Sequence, residues 1–530
     1  MKKIVQLSLI ATMAISGLSA MSNSALSAKL TALEVELADV KKDLAKQNTK
    51  INKVKAHDNA DNIKWGVDFR TAYDNINYDM ADGSTRSNDS LYTMRLWLNM
   101  AYAPDSHNIF KGQLSMNKAF GADFGGYDSS MNRAFSMGGM FDWTANEALT
   151  DNNLKVREAY WLYLGDSAFG ANIPWTFSVG RRPSTNGFLA NLSQDDKAKS
   201  PLAHVINVEF DGLSSKLDLS NVTGIPGMSF KVCLGYGSSN AAPMFDRIDG
   251  TQYSTDEDEL NDIKLGGFVF EPYNDGQFIV KTTWYRAFDL PGYDDAAFMA
   301  AFTANNMGAG TFSQSGDIDG AAISVLVDGI TEDGYLSEAK VFGSFAWSNT
   351  NPDAGKSMLG STESESGTSY WVGAYLPVGE DSEYGTVGLE YNHGSEYWRP
   401  FTYAEDTMIG SKIAARGDAY ELNYTYQIHE ALSLQLRYVN IDYDYTGSNS
   451  FFGSDGTPMK IDDVKVGASG FDQMAAAGVI QHQDAAGIVG DLMGAGLTQA
   501  EAEGMLMAKG MVGSIVESAQ DFRFYLRYRF

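Results

Sequence analysis

The sequence is poor in cysteine, in basic charge and, over its first sixty residues, in aromatic rings. A single cysteine, Cys233, stands in 530 residues. This excludes an internal disulfide and a paired-cysteine haem attachment, and it leaves no cysteine behind the leader to accept lipid. No run of 18 apolar residues follows the first twenty, so no spanning helix is expected there. An exported chain living in a membrane must then cross it as a closed barrel, the other structure in which every backbone group is paired. The six histidines, His57, His107, His204, His393, His429 and His482, lack the close spacing of a metal pair, and no Gly-x-Ser-x-Gly elbow occurs. Neither an enzyme nor a cofactor is expected. Forty basic residues face 67 acids, a net charge of −27, which argues against nucleic acid as a partner.

What is present divides into two modules behind a leader. Lys2 and Lys3, the apolar stretch Ile4 to Ala20 and the small residues from Ser19 to Ala25 make a secretory signal peptide over 1–20. All 27 Tyr, 28 Phe and 9 Trp lie at or beyond Trp65, which sets a boundary near residue 60. From Lys64 onward the chain holds 31 basic and 61 acidic residues, about −30 in net charge. Over 26–56, Leu30, Leu37, Leu44 and Ile51 alternate with Leu33, Val40, Gln47 and Val54 in steps of three and four, a heptad seam. A parallel periplasmic coiled coil is expected, a dimer or trimer, with Gln47 as its one polar knob. A lone amphipathic helix packed on something else is the plainer alternative.

Beyond Lys64 the period becomes two. Trp65, Val67, Phe69, Thr71 and Tyr73 alternate with Gly66, Asp68, Arg70, Ala72 and Asp74. Sixteen such segments are expected, near 64–78, 90–103, 109–119, 154–165, 174–183, 203–220, 227–236, 263–271, 277–287, 318–328, 336–348, 369–378, 384–393, 417–427, 430–443 and 518–530. Short connectors at 104–108, 166–173, 221–226, 272–276, 329–335, 379–383 and 428–429 alternate with long ones at 79–89, 120–153, 184–202, 237–262, 288–317, 349–368, 394–416 and 444–517. Sorting of loop lengths by parity belongs to an outer-membrane barrel and has no cause in a soluble sandwich. The fold class is therefore all-β: a transmembrane antiparallel up-and-down barrel over 64–530.

The last segment is the most distinctive. Phe522, Phe524, Leu526, Tyr528 and Phe530 form one apolar face and Arg523, Tyr525, Arg527 and Arg529 the other. A terminal Phe with apolar residues at every second position resembles the signal by which barrel-assembly machinery recognises its clients. Four further stretches carry a resemblance: Phe177 to Gly187 (FSVGRRPSTNG), Asn392 to Trp398 (NHGSEYW), the run from Gly410 to Gly417, and Tyr443 to Gly447 (YDYTG). They resemble the domain-of-unknown-function 3373 family of coiled-coil-headed, porin-like outer-membrane barrels. The resemblance implies the barrel and the membrane, and it supplies no site residue.

With the aromatic face toward lipid, the opposite face lines the interior. It carries Asp68, Arg70 and Asp74, Arg95 and Asn99, Lys155 and Arg157, then Arg182, Lys231, Lys281, Lys340, Glu390, Glu421, Arg437, Arg523, Arg527 and Arg529. A basic wall under an acidic mouth focuses a field on passing solutes; alternatively, the arginines pair with acids and brace a wide barrel. Cys233 shares a face with Lys231 and reads as an inert thiol. Asp256, Asp258 and Asp262, in a loop crowded with acids, could bridge lipopolysaccharide through divalent cations, but they lack calcium-loop spacing and a solvated surface is the better account. Thr498 to Glu501 is a capping box, so 444–517 should be partly helical. The expected function is passive diffusion of small hydrophilic or ionic solutes. The alternatives are a structural barrel tethered through its coiled coil to a periplasmic partner and plugged by the last loop, or a sheath around an electron-transfer protein.

Overall fold

The computed structural model describes residues 63–122, 149–182, 185–237, 260–303, 312–331, 333–402 and 407–530. The leader, the heptad seam, and Asp256 and Asp258 lie outside them. Strict two-residue alternation gives each strand one apolar and one polar face, and sixteen such strands close into a ring. They are β1 (Lys64–Met80), β2 (Thr85–Tyr102), β3 (Asn108–Ala119), β4 (Lys155–Gly165), β5 (Trp175–Arg182), β6 (Phe210–Asp218), β7 (Ser229–Gly237) and β8 (Ile263–Asn274). The second half comprises β9 (Phe278–Gly292), β10 (Ser313–Asp328), β11 (Lys340–Pro352), β12 (Ser366–Pro377), β13 (Thr386–Gly394), β14 (Gly417–His429), β15 (Leu432–Tyr443) and β16 (Val516–Arg529). β16 returns to β1 with Phe69 opposite Tyr528 and Asp74 opposite Arg523, closing the ring.

All sixteen expected segments are present, with two differences. The expected strand 203–220 is β6 only from Phe210, because 203–209 turns into the barrel. The expected long loop 79–89 is the tight turn 81–84, since β1 and β2 continue past the apolar region as a projecting hairpin. There Gly83 takes φ 82°, and the Asp82 carboxylate accepts from the Ser84 amide at 2.8 Å.

The outer surface is apolar. Phe522, Phe524, Leu526, Tyr528 and Phe530 are 37–71% exposed on β16 and its end, and Leu234, Ile323 and Phe345 continue the belt around the ring. Of the last long connector, α2 (Ile461–Ala476), α3 (Ala485–Gly494) and α4 (Gln499–Met511) are helical, following α1 (Asp295–Thr303) earlier in the chain. The capping box Thr498/Glu501 opens α4. Ile461, Val464 and Ala468 pack with Ala508, Met511 and Ile515 on Ala81 at the hairpin tip, so these helices cover the loop rim. No helix among the described residues is long and apolar enough to cross a membrane, which says nothing of the strands.

Candidate functional site

Two connectors fold inward and occupy the interior. The first, the inner segment 185–209, leaves β5 and touches wall after wall. Thr185 accepts from Arg157 on β4, Ser200 from Lys231 on β7 at 2.7 Å, and the Ser193 carbonyl from Gln435 on β15 at 2.9 Å. The Gln194 and Asp195 carbonyls accept from Arg527 and Arg529 on β16 at 2.7 and 2.6 Å. The second connector, described over 395–402 and 407–416, joins the first through a two-residue parallel pairing of Phe401 with Ile206 and Thr402 with Asn207. Arg399 and Arg416, both fully buried, tie it to the carbonyls of Ser448 and Thr446 in the last connector at 3.2 and 2.8 Å.

Apolar packing holds the inner pieces in place. Leu202, Val205, Ile206, Trp398 and Phe401 join Leu265, Tyr285, Ile318 and Ala346 of the wall in one buried cluster, and Phe188, Leu189, Ala203 and Ile413 join Phe342, Trp371 and Tyr375 in another. This interior resembles the core of a soluble protein more than an aqueous channel. It also imposes strain: Asn186, Leu189 and Asp195 adopt φ of 52°, 83° and 46°, three of the seven non-glycine residues with positive φ among those described.

Against the wall at β11 and β12 stands His204, fully buried. Its two ring nitrogens meet the Ser344 and Ser369 hydroxyls at 2.8 and 2.9 Å, and its ring lies edge-on between Trp371 and Trp398 at 5.7 and 5.6 Å. Burial pushes its pKa down to about 3, so the imidazole is neutral. Sequence alternation assigned His204 to a strand end and gave no sign of this environment.

The interior wall residues singled out from sequence are mostly neutralised in place. Arg527 Nε is 2.9 Å from Asp68 Oδ1, with Arg95 3.7 Å from the same carboxylate; Arg70 stacks on Tyr525. Arg523 pairs with Asp74 at 2.5 Å. Arg157 pairs with Glu209 at 2.5 Å, Arg529 with Asp195 at 2.5 Å, and Lys340 with Asp328 at 2.6 Å. Lys281 lies 3.6 Å from Glu271. Glu390 and Glu421, directly opposite across β13 and β14, share Lys412 of the second connector, which is 2.6 Å from Glu390, and Arg437 adds a contact of 2.8 Å to Glu421. Burial works against the Lys412 charge, yet the two carboxylates outweigh it and raise its pKa above the usual lysine value. Arg182 and Lys231 differ: neither has a carboxylate within ion-pair distance among the described residues. Sequence reasoning missed Asp195 and Lys412 because they sit in connectors, where no periodicity says which way a side chain points, and Glu209 because it was read as part of the strand 203–220, which begins only at Phe210. Asp262 accepts from the Tyr236 hydroxyl, and no cluster of three metal-ligating side chains exists among the described residues.

Two cavities flank the packed interior. One of about 520 Å³ is lined by Tyr78, Tyr443, Met459, Met507, Met511 and the loop residue Asp455. The other, of about 450 Å³, is lined by Asn191, Asp195, Asp328, Lys340 and Thr425. The strand directions place the first toward the loop rim and the second toward the turn rim.

The architecture defines the class: a closed sixteen-stranded antiparallel β-barrel with chain folded into its interior. The family described as "Protein of unknown function (DUF3373)" matches residues 85–485, and the chain belongs to that family. No curated protein matches the sequence. Solved structures similar to it include the Salmonella typhi OmpF complex with daunomycin, at 9% identity and TM-score 0.41 over 89% of this chain and 99% of that one. Pseudomonas putida OprB at high pH is similar at 11% identity and TM-score 0.43 over 90% and 96%. OmpT, an outer membrane protein of Vibrio cholerae, is similar at 11% identity and TM-score 0.39 over 88% and 97%.

Proposed function

We propose that this chain is an outer-membrane barrel through which small hydrophilic or ionic solutes diffuse passively along a route narrowed by its own inner segments. The observation that carries this is the inversion of polarity. An apolar, aromatic surface such as that of Val232, Leu234, Ile323, Phe345 and Leu526 would be unstable in water, whereas the same ring buries ionised arginines and carboxylates. Lipid outside and a wall carrying ion pairs on its inner face account for both. The cavities toward the two rims favour restricted passage over a wide aqueous pore. Residues 1–20 serve as an export signal, and 26–56 form a periplasmic coiled coil that assembles two or three barrels. The face ending at Phe530 engages barrel-assembly machinery and then lipid, and the loop rim meets lipopolysaccharide.

Planar-bilayer recording on correctly folded, purified protein tests the proposal. Small stepwise conductances are expected. Their complete absence, from protein that still shows the heat-modifiable mobility of a folded barrel, would remove the diffusion role.

A further inference from the structure

Like charges directly opposite on neighbouring strands repel, and this barrel compensates such pairs with a counter-charge. Glu390 and Glu421 are such a pair, and Lys412 lies between them. Arg70 lies directly opposite both Arg95 and Arg527, and Asp68 serves the two outer arginines. The wall from β5 to β9 is the exception. Lys216 and Lys231 are directly opposite across β6 and β7, with Lys281 and Arg182 as their charged neighbours. Glu271, 3.6 Å from Lys281 and 4.0 Å from Lys216, is within ion-pair distance of those two lysines and of no other cation among the described residues. Glu158 acts on Arg182 only at a distance, and its ion pair is with Lys199.

Lys231 and Arg182 are left with neutral partners. Lys231 Nζ donates to Ser200 Oγ at 2.7 Å. Arg182 Nη2 donates to Ser214 Oγ at 3.1 Å, and its guanidinium lies over the Tyr160 ring. Arg182 Nη1 is buried with no hydrogen-bond partner. Both cations line one cavity of about 40 Å³, together with Ser200, Ser214, Cys233 and Thr283. Its volume suits a few waters or one small polyatomic anion. The chemistry suits an anion: a planar guanidinium matches two oxygens at once, an ammonium opposes a third, and Ser200, while accepting from Lys231, keeps its own proton to donate.

We propose that the cavity between Arg182 and Lys231 binds one small inorganic oxyanion, of the phosphate or sulfate class, as the counter-charge this wall lacks. The site goes beyond solute passage, because a barrel that conducts nothing can still hold such an ion.

Inorganic phosphate titrated calorimetrically into the full-length folded barrel, with a bulky organic anion holding the ionic strength, gives the direct test. One saturable site is expected. Lys231→Met and Arg182→Gln should each weaken it by about tenfold or more, while Lys509→Gln on α4 leaves it unchanged. Cys233 supplies a second readout that needs no variant: phosphate should slow its modification by a charged thiol reagent. Absence of saturable binding, full affinity in Lys231→Met, or a Cys233 rate indifferent to phosphate would each overturn the site. Since binding is read without a membrane potential, its failure stays separate from failure of the conductance experiment.

Discussion

Acid should loosen the inner segment through His204, by an amount the structure allows to be worked out. The imidazole is buried between Trp371 and Trp398 and bonded to two serine hydroxyls. Lys412 and Glu390 pack against Trp371, its neighbour, and are paired with each other. Burial lowers its pKa from 6.5 to about 3, so the seated segment binds no proton at His204 over a range where the released segment does. Stability from the neutral imidazole is therefore complete above about pH 6.5, is lost progressively as pH falls, and is exhausted near pH 3. At about pH 4.5, two units below the released value, the loss is about 2.7 kcal/mol, or roughly a hundredfold in the equilibrium between seated and released segment. The left-handed Asn186, Leu189 and Asp195 add stored strain that release would relieve. In single-channel recording the open fraction should rise steeply between about pH 6.5 and pH 4.5 in the wild type, while His204→Gln, which keeps a donor and an acceptor for the serines, should show little of that rise. An identical acid response in both proteins would refute the role given to His204.

Three further outcomes follow from the packing. Lys412→Met leaves Glu390 and Glu421 facing each other with Arg437 as the remaining cation paired with them among the described residues, and should cost about 3–5 kcal/mol in denaturant unfolding; adding Glu390→Gln should recover part of that loss. Leu526→Arg on the lipid face should cost about 2–4 kcal/mol if the site lies near the bilayer midplane and should reduce the heat-modifiable folded fraction, whereas Leu526→Val should not. Deleting α2 to α4 should change conductance little, since those helices cover the rim, while excising 186–208 should raise it sharply; the reverse order would restore the last connector as the plug.

The strands were legible because a ring with an apolar outer surface requires an unbroken apolar face at every second residue, a rule that reads directly as period two. Its failures have the same cause. The residues from Thr85 to Ser90 are all exposed, so they lose the alternation and read as loop although they are strand. The apolar residues 202–208 alternate well enough to extend the next strand on paper, yet Leu202, Val205 and Val208 are buried inside the barrel. Which wall residues face inward was legible by parity. What they meet there was not, because Glu209, Asp195, His204 and Lys412 arrive from connectors whose path depends on tertiary packing rather than on any local period.

This difference decides what the basic wall can do. From sequence, an arginine-rich interior reads equally as a field that orders solutes or as bracing. Arg95, Arg157, Arg437, Arg523 and Arg527 are nearly all buried and sit against carboxylates. Such pairs cancel at a distance, so they hold the wall and inner segments together but project little field. The long-range potential must then come from charges without a partner of opposite sign. Among the described interior residues these include Lys231 and Arg182 on the wall from β5 to β9, with Lys216 and Lys281 sharing Glu271. If solutes pass as proposed, ion preference turns on those four residues, although the arginines of β16 dominate the composition. Neutralising Lys231 and Lys216 together should shift the reversal potential across a salt gradient toward cations. Neutralising Arg523 should instead destabilise the barrel while leaving the sign of the selectivity alone.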